Sequence, residues 1–210
     1  MTKKVVVLHS GGLDSTVCLL LAKRNGLNPV SLGIEYGQRH VIEMHYAASQ
    51  CLRFGIERHV IRVAWEKPQR VLPQSRSVSE IREGGVSTAF LPARNAVFLV
   101  LAAAQAAGLG ATEIWTGINS VDFSGYPDCR PEFVEAFEKM LQIAAPGGPA
   151  VVAPLQTMSK PEIAALARSL KLTETDTWSC YRPQIGPTGV RPCGVCDACV
   201  LHKHAWAETT

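Results

Sequence analysis

The sequence predicts an α/β fold: a parallel sheet flanked by helices, with a short cysteine-rich tail. Three observations predict it. Short apolar runs alternate with segments of helical spacing, the signature of repeated βαβ units. The first run, Val5-Val6-Val7-Leu8, closes in a Ser/Gly turn and passes straight into the helix-like Val17-Cys18-Leu19-Leu20-Leu21-Ala22. The chain's 210 residues are 47% hydrophobic and 19% charged, enough apolar material for one core with a small appendage.

Taken in order, residues 5–8 read as a strand and the helix behind them reaches about residue 25. Residues 29–34 read as a second strand, 41–54 as a helix and the alternating 56–63 as a third strand. The alternation stops at Trp65-Glu66-Lys67-Pro68, and from there to Phe90 the chain is mostly polar and irregular, as in a lid or loop. Order returns at Pro92-Ala93-Arg94-Asn95, and the Ala-rich segment to Ala107 is apolar all round, which predicts a helix buried against the sheet. Gly108-Leu109-Gly110 ends it. Glu113-Ile114-Trp115-Thr116-Gly117 reads as the next strand, and 131–144 as a helix with Pro131 in its first turn. A Pro146-Gly147-Gly148-Pro149 loop and a short strand at 150–153 follow. Ser159-Lys160-Pro161-Glu162 has capping-box spacing ahead of 163–170 and is the best-marked helix start in the chain.

A formal charge of +3 is too little for a nucleic-acid groove but compatible with an anionic nucleotide. The N-terminus lacks the longer apolar core of a secretory signal. The longest apolar run, 96–104, is far short of the roughly 18 residues of a membrane span. A soluble cytoplasmic protein is the expectation, and seven cysteines fit that compartment if some bind metal.

Ser10-Gly11-Gly12-Leu13-Asp14-Ser15-Thr16 carries the first chemical signal. Two glycines allow close backbone approach to a ligand, and hydroxyls with free N–H groups at a helix N-terminus suit a phosphate. No Lys stands where a Walker loop needs one. S-G-G-x-D-S behind a first strand resembles instead the pyrophosphate (PP) loop of the N-type ATP pyrophosphatases, which cut ATP between the α and β phosphates and pass AMP to a substrate.

The second signal is Cys193-x-x-Cys196-x-x-Cys199, preceded by Cys180: four thiols in a Pro- and Gly-rich segment with little apolar material to fold on. Tetrahedral Zn2+ accepts four thiolates and stabilises such loops by about 10 kcal/mol in peptides. The spacing also occurs in iron–sulfur ligation. His202 and His204 are near enough to compete, but four cysteines already close the shell. Cys18 and Cys51 fall in helical patterns and read as core residues.

The segment Asp122-Phe123-Ser124-Gly125-Tyr126-Pro127-Asp128-Cys129-Arg130 is too rich in turn formers for a helix or strand, yet holds two acids, a base and two aromatics, as a binding loop does. With Tyr36-Gly37-Gln38-Arg39-His40, the turn at 92–95 and the four cysteines, it resembles the 7-cyano-7-deazaguanine synthase family of the queuosine pathway, from Val5 to about His202. That resemblance implies a Rossmann-like nucleotide hydrolase fold. It implies an ATP-binding and substrate domain over 1–175, a zinc-binding segment over 176–210 packed on it, and a homodimer. The implied activity is an ATP-dependent ligase that converts 7-carboxy-7-deazaguanine and ammonia to the nitrile. A carboxylate is a poor electrophile until adenylation makes its oxygen a leaving group. Ammonia then gives the amide, and a second activation permits dehydration.

Residue roles follow from the resemblance. The stretch Leu8, His9, Ser10, Gly11, Gly12, Leu13, Asp14, Ser15, Thr16, Val17 and Cys18 forms the ATP loop, with Ser10, Gly11, Gly12, Ser15 and Thr16 holding the β and γ phosphates. Asp14 carries Mg2+, and Lys160 and Arg94 stabilise the departing pyrophosphate. Asp122 or Asp128 accepts the ring N–H and exocyclic amine of a guanine-like edge, Phe123 or Tyr126 stacks on its face, and Arg130 or Arg39 meets the carboxylate. His9 and His40 flank the pocket as packing residues. The chain departs from the family in three places. Ala93 stands where Gly commonly precedes the Arg, the approach to the second cysteine at 187–192 differs, and 115–120 lacks a Cys-Glu pair. The rivals are another adenylating enzyme of the superfamily, acting on a different 7-deazapurine or on tRNA, and a nucleotide sensor that binds ATP without cleaving it.

Overall fold

The computed structural model describes residues 2–38, 42–66, 75–86, 90–119, 126–187 and 189–208. Its elements are β1 (Lys4–Leu8), α1 (Leu13–Arg24), β2 (Asn28–Glu35), α2 (Ile42–Phe54), β3 (Arg58–Arg62), α3 (Val78–Glu83), α4 (Arg94–Leu109), β4 (Glu113–Trp115), α5 (Pro131–Ala144), β5 (Ala150–Val152), α6 (Lys160–Ser169), β6 (Gln184–Gly186), β7 (Gly189–Arg191) and α7 (Asp197–Ala207). Five strands form one parallel sheet in the order β3-β2-β1-β4-β5, as the alternation predicts. Central β1 has Val6 opposite Val30 on one side and Ile114 on the other.

The period of two along β1 sorts its valines between two cores. Val5 and Val7 pack with Leu13, Val17 and Leu19 of α1, Ile163 and Ala167 of α6, and Ala205 and Trp206 of α7. Val6 turns to the other face, against Leu99, Ala102 and Ala106 of α4 and Phe137 and Leu141 of α5. The strand order reverses between β1 and β4, so a crevice opens beyond the carboxyl ends of these two strands, where ligands of open α/β sheets bind.

Two expectations need correction, one in the stretch after Trp65 and one in the tail. The polar stretch after Trp65 is not wholly irregular: Ser77 and Glu80 cap each other reciprocally at the start of α3, which buries Ile81. Helix α4 lies against the sheet as expected, its alanines letting one face come close while Val97 and Val100 point outward at 37% and 50% exposure. The tail holds more apolar material than its Pro and Gly content suggests, since α7 carries Ala205 and Trp206 into the main core, and β6 and β7 form an antiparallel hairpin. Cys18 and Cys51 are buried in the core. No described helix is long and apolar enough to cross a membrane.

Candidate functional site

The loop between β1 and α1 lies at the mouth of the crevice. Gly11 has φ +92°, a backbone that disfavours a side chain, and a Cβ there would stand 2.5 Å from the Glu43 carbonyl oxygen and 2.8 Å from the Ala47 nitrogen. Gly12 caps α1 with no side-chain hydrogen bond, so the first N–H groups of the helix stay open to a ligand, with the positive end of the helix dipole behind them. The Ser15 hydroxyl accepts from the Ser10 N–H at 3.2 Å and sits 3.1 Å from the Ser10 hydroxyl, which accepts from the Gly12 N–H at 3.3 Å. Both serines keep exposed surface, whereas Thr16 is fully buried. The Thr16 hydroxyl donates to the Gly12 carbonyl at 2.7 Å and its N–H to the same oxygen at 3.1 Å, so both groups are committed within the turn. Leu13, Val17 and Cys18 face the core, and Leu8 is half-buried at the end of β1.

His9 is the loop's footing. Its ring is buried, with Nδ1 2.9 Å from the Ser31 hydroxyl on β2 and Nε2 2.9 Å from Oε1 of Gln50 on α2. The amide of Gln50 in turn donates to the carbonyls of Asp176 at 2.6 Å and Gly11 at 3.4 Å. Burial, helped by the nearby Arg58 charge, holds the imidazole down to about pKa 3. It is therefore neutral, and Nε2, facing an amide oxygen, carries the proton.

Asp14 stands in the first turn of α1, and its Oδ2 accepts from Lys160 Nζ at 2.5 Å. Lys160 opens α6, whose start is fixed by the Ser159–Glu162 capping box that the sequence marks so clearly. Asp14 Oδ1 is buried without a protein partner, a hard oxygen donor of the type Mg2+ selects. Across the crevice Gly117, just beyond β4, abuts the loop: a Cβ there would lie 3.0 Å from the Asp14 carbonyl carbon and the Ser15 nitrogen.

Arg94, at the start of α4, has Tyr36, Tyr126 and Tyr181 near enough to act on its charge, and the first two of these stand in aromatic contacts. Tyr36 at the end of β2 stacks on Trp65 with centroids 5.4 Å apart and meets Phe98 of α4 at 5.2 Å, while Tyr126 meets Phe90 at 5.2 Å. Burial works against the Arg94 charge, but Tyr36, Tyr126 and Tyr181 together outweigh it and hold the guanidinium above the usual arginine range. Burial also pushes the Tyr181 phenol up, and it pushes the Glu43 carboxyl up to about 7 against the opposing pull of Arg94. Ala93, which leads into Arg94, has φ +60°, the left-handed backbone a glycine would take freely. Asp128 is buried at 7% exposure, and its Oδ2 accepts from the Asn95 N–H at 3.1 Å, covering a free donor in the first turn of α4. Neighbouring Cys129 is a thiol at neutral pH, since burial and then the Asp128 charge push it up to about 11.

The sulfur atoms of Cys180, Cys193, Cys196 and Cys199 lie within 4.8 Å of one another. Cys196 and Cys199 are 3.5 Å apart and Cys193 and Cys199 4.0 Å. A tetrahedron of metal–sulfur bonds of about 2.3 Å needs edges of about 3.8 Å, so the cluster fits a four-thiolate metal ion. Backbone N–H groups of Arg182 and Cys193 both donate to the Cys180 sulfur at 3.2 Å, as outer partners that orient a ligand do. His202 is engaged elsewhere, with Nδ1 3.0 Å from the Ser179 hydroxyl and Nε2 3.2 Å from the Glu174 carbonyl. Arg76, ahead of α3, pairs through its guanidinium with Asp197 in the first turn of α7.

Of the residues singled out in the sequence, Ser10, Asp14, Ser15 and Lys160 meet at the loop, Tyr126 is near enough to Arg94 to act on its charge, and the four cysteines cluster. Arg130 is exposed at the start of α5, and Asp128 is turned toward α4. Arg39, His40, Asp122, Phe123, Ser124 and Gly125 lie outside the described residues. Sequence reasoning missed Gln50, Gly117, Glu43 and Tyr181. Only Gly117, a glycine directly after a strand, left a local sign.

A parallel sheet with an anion nest at its switch point and a carboxylate–lysine pair on the nest defines a nucleotide-binding α/β protein of the PP-loop type. More particularly, the chain belongs to the family described as queuosine biosynthesis protein QueC, which matches residues 4–210. It is 58% identical over 206 residues to 7-cyano-7-deazaguanine synthase 2 of Rhodopseudomonas palustris, covering 98% of each chain. It is 43% identical over 211 residues to the 7-cyano-7-deazaguanine synthase of Novosphingobium aromaticivorans, covering 97% of this chain and 89% of that one. Among solved structures it resembles a 4-thiouridine synthetase in complex with RNA and ATP, with a TM-score of 0.55, 21% identity, and coverage of 98% of this chain and 53% of that one. It also resembles the U34-tRNA thiolase NcsA of Methanococcus maripaludis, with a TM-score of 0.52, 19% identity, and coverage of 82% and 58%. These two likenesses are of fold.

Proposed function

We propose that this chain is an ATP-dependent ligase that converts 7-carboxy-7-deazaguanine and ammonia to 7-cyano-7-deazaguanine through an amide. The observation that carries this reading is the open N-terminus of α1, with the Asp14–Lys160 pair on it, together with a half-buried arginine, Arg94, among tyrosines. The relatives' names supply the substrate class. ATP, as co-substrate, supplies the adenylyl group that makes a carboxylate oxygen a leaving group. The protein's own residues bind, orient and neutralise. The first N–H groups of α1 and the Ser10 and Ser15 hydroxyls hold phosphate oxygens, Asp14 offers an oxygen to Mg2+, and Lys160 and Arg94 balance the negative charge that grows on the departing pyrophosphate.

We read the four-cysteine metal as structural Zn2+, residues 1–175 as the ATP- and substrate-binding domain, and 176–210 as the metal-binding segment. A homodimer and a cytoplasmic location belong to the same reading. The first rests on the resemblance alone, and the second is supported by seven free cysteines, which a reducing compartment preserves. The test is to incubate the purified protein with ATP, Mg2+, ammonium and 7-carboxy-7-deazaguanine. Mass spectrometry should then show AMP, pyrophosphate, the amide and the nitrile, and no AMP under these conditions removes the proposal.

A further inference from the structure

The two cations set against the departing pyrophosphate are far apart in the chain, and each opens a helix: Arg94 is the first residue of α4 and Lys160 the first of α6. Their directions therefore depend on how those first turns are held. Lys160 has the Ser159–Glu162 capping box around it. Helix α4 has no cap of its own, because Ala93 offers no side-chain acceptor to the free N–H groups. The acceptor comes from another segment. Oδ2 of Asp128 takes the Asn95 N–H at 3.1 Å, the bond that an N-cap carboxylate within the helix would make. The Asn95 side chain returns the grip, its amide donating to the Asp128 carbonyl at 3.0 Å and to the Cys129 sulfur at 3.4 Å.

The same turn is held from its other side. Gln156, in the connection between β5 and α6, donates through its amide to the Cys129 carbonyl at 3.3 Å. That connection is pinned in turn by Asn119, buried beyond β4, whose amide donates to the Leu155 carbonyl at 2.9 Å and to the Met158 carbonyl. Met158 stands just ahead of Ser159 and Lys160. A run of hydrogen bonds thus joins the first turn of α4 to the residues that lead into α6, with the Asp128–Cys129 turn as its middle link. We propose that Asn95 is a positioning residue of this site, fastening that turn to α4 and so fixing Arg94, while Gln156 does the same for the approach to Lys160. The inference rests on the ligase reading above, which gives both cations their work on the leaving group. A cation that must meet charge as it develops acts through placement, and a displacement of about 1 Å lowers the rate by up to about 100-fold.

The experiment is single-turnover AMP formation from ATP, Mg2+, ammonium and 7-carboxy-7-deazaguanine by wild type, Asn95→Ala, Arg94→Gln and the double variant, with ATP affinity and melting temperature measured alongside. Asn95→Ala keeps the backbone bond to Asp128 and loses both amide bonds. Its rate should fall about 10-fold with ATP affinity within about twofold, since Arg94 acts on the departing group. In the Arg94→Gln background the same change should lower the rate by about twofold or less, because the group it positions is already gone. Gln156→Ala, which loses a single bond to the turn, should lower the rate about threefold, and not further beside Lys160→Gln. A folded Asn95→Ala or Gln156→Ala at the wild-type rate overturns the proposal. So does a loss at Asn95 that adds in full to that of Arg94→Gln, or one that appears in ATP affinity alone. If Asn95→Ala does not fold, Asn95→Ser, a shorter donor, takes its place in the cycle and is judged by the same results. If wild type releases no AMP, the ligase reading itself fails and this inference goes with it. AMP release by wild type that Asn95→Ala leaves unchanged removes only the positioning role.

Discussion

Acidification should loosen the phosphate loop from beneath, through His9. Its ring bridges Ser31, Gln50 and, through Gln50, the Gly11 carbonyl, and it does so as the neutral form. The folded pKa of about 3 lies below the ordinary histidine value, which the unfolded chain takes, of about 6.5. Between those values the unfolded state binds the proton and the folded state does not. The contribution is therefore fully present above about pH 6.5 and is lost as pH falls toward 3. From pH 7 to pH 5 this linkage removes about 2 kcal/mol, a large share of the 5–15 kcal/mol that holds a typical domain together. Urea unfolding at half-unit steps of pH, on wild type and His9→Gln, isolates the residue. Wild type should lose about 2 kcal/mol more than the variant over that interval, with ATP affinity falling in parallel. Parallel stability curves for the two proteins would show that His9 is not the buried neutral base described.

Ala93→Gly should raise stability by about 0.5–1 kcal/mol, since relief of the left-handed strain of about 1–2 kcal/mol exceeds the entropy cost of a glycine; a lower melting temperature contradicts this. Lys160→Gln keeps the capping box that starts α6, so the protein should melt within a few degrees of wild type while pyrophosphate release falls by about 100-fold, and near-normal release would free Lys160 of its assigned role. Chelation of the bound metal should free α7 from the core, seen as faster hydrogen exchange over 197–207 and an altered Trp206 environment; exchange that does not change would show that the four thiols do not support the helix.

Most of the sheet was legible because its signals are local. The strands are short apolar or alternating runs, and the ends of α1, α5 and α6 carry glycine, proline or a capping box in the sequence itself. The elements that were missed have weak signals. Helix α3 has six residues and one buried side chain, and the β6–β7 hairpin has strands of three residues with every one exposed, so no alternation betrays it. The site divides the same way. Asp14, Arg94, Lys160 and the four cysteines stand in recognisable local settings. Gln50 is an ordinary mid-helix residue 41 positions from the histidine it supports, and Glu43 an ordinary first-turn acid, until the fold brings α2 against Gly11.

The missing Walker lysine is answered by the fold. A phosphate nest needs positive charge, and this loop has none of its own between Ser10 and Thr16. The charge comes from Lys160, 146 residues away from Asp14, at the first position of α6. Helices α1 and α6 pack together, so the lysine at the start of α6 comes beside the open N-terminus of α1, which is worth about half a positive charge. Asp14 pairs with Lys160, and each neutralises the other. Under the proposed function, a polyphosphate bringing its own divalent cation would exchange partners with them, the carboxylate turning to the metal and the lysine to the phosphate oxygens. The pair is neutral in itself, so the surplus negative charge of a metal-bound polyphosphate would fall to the open N-terminus of α1 and to Arg94.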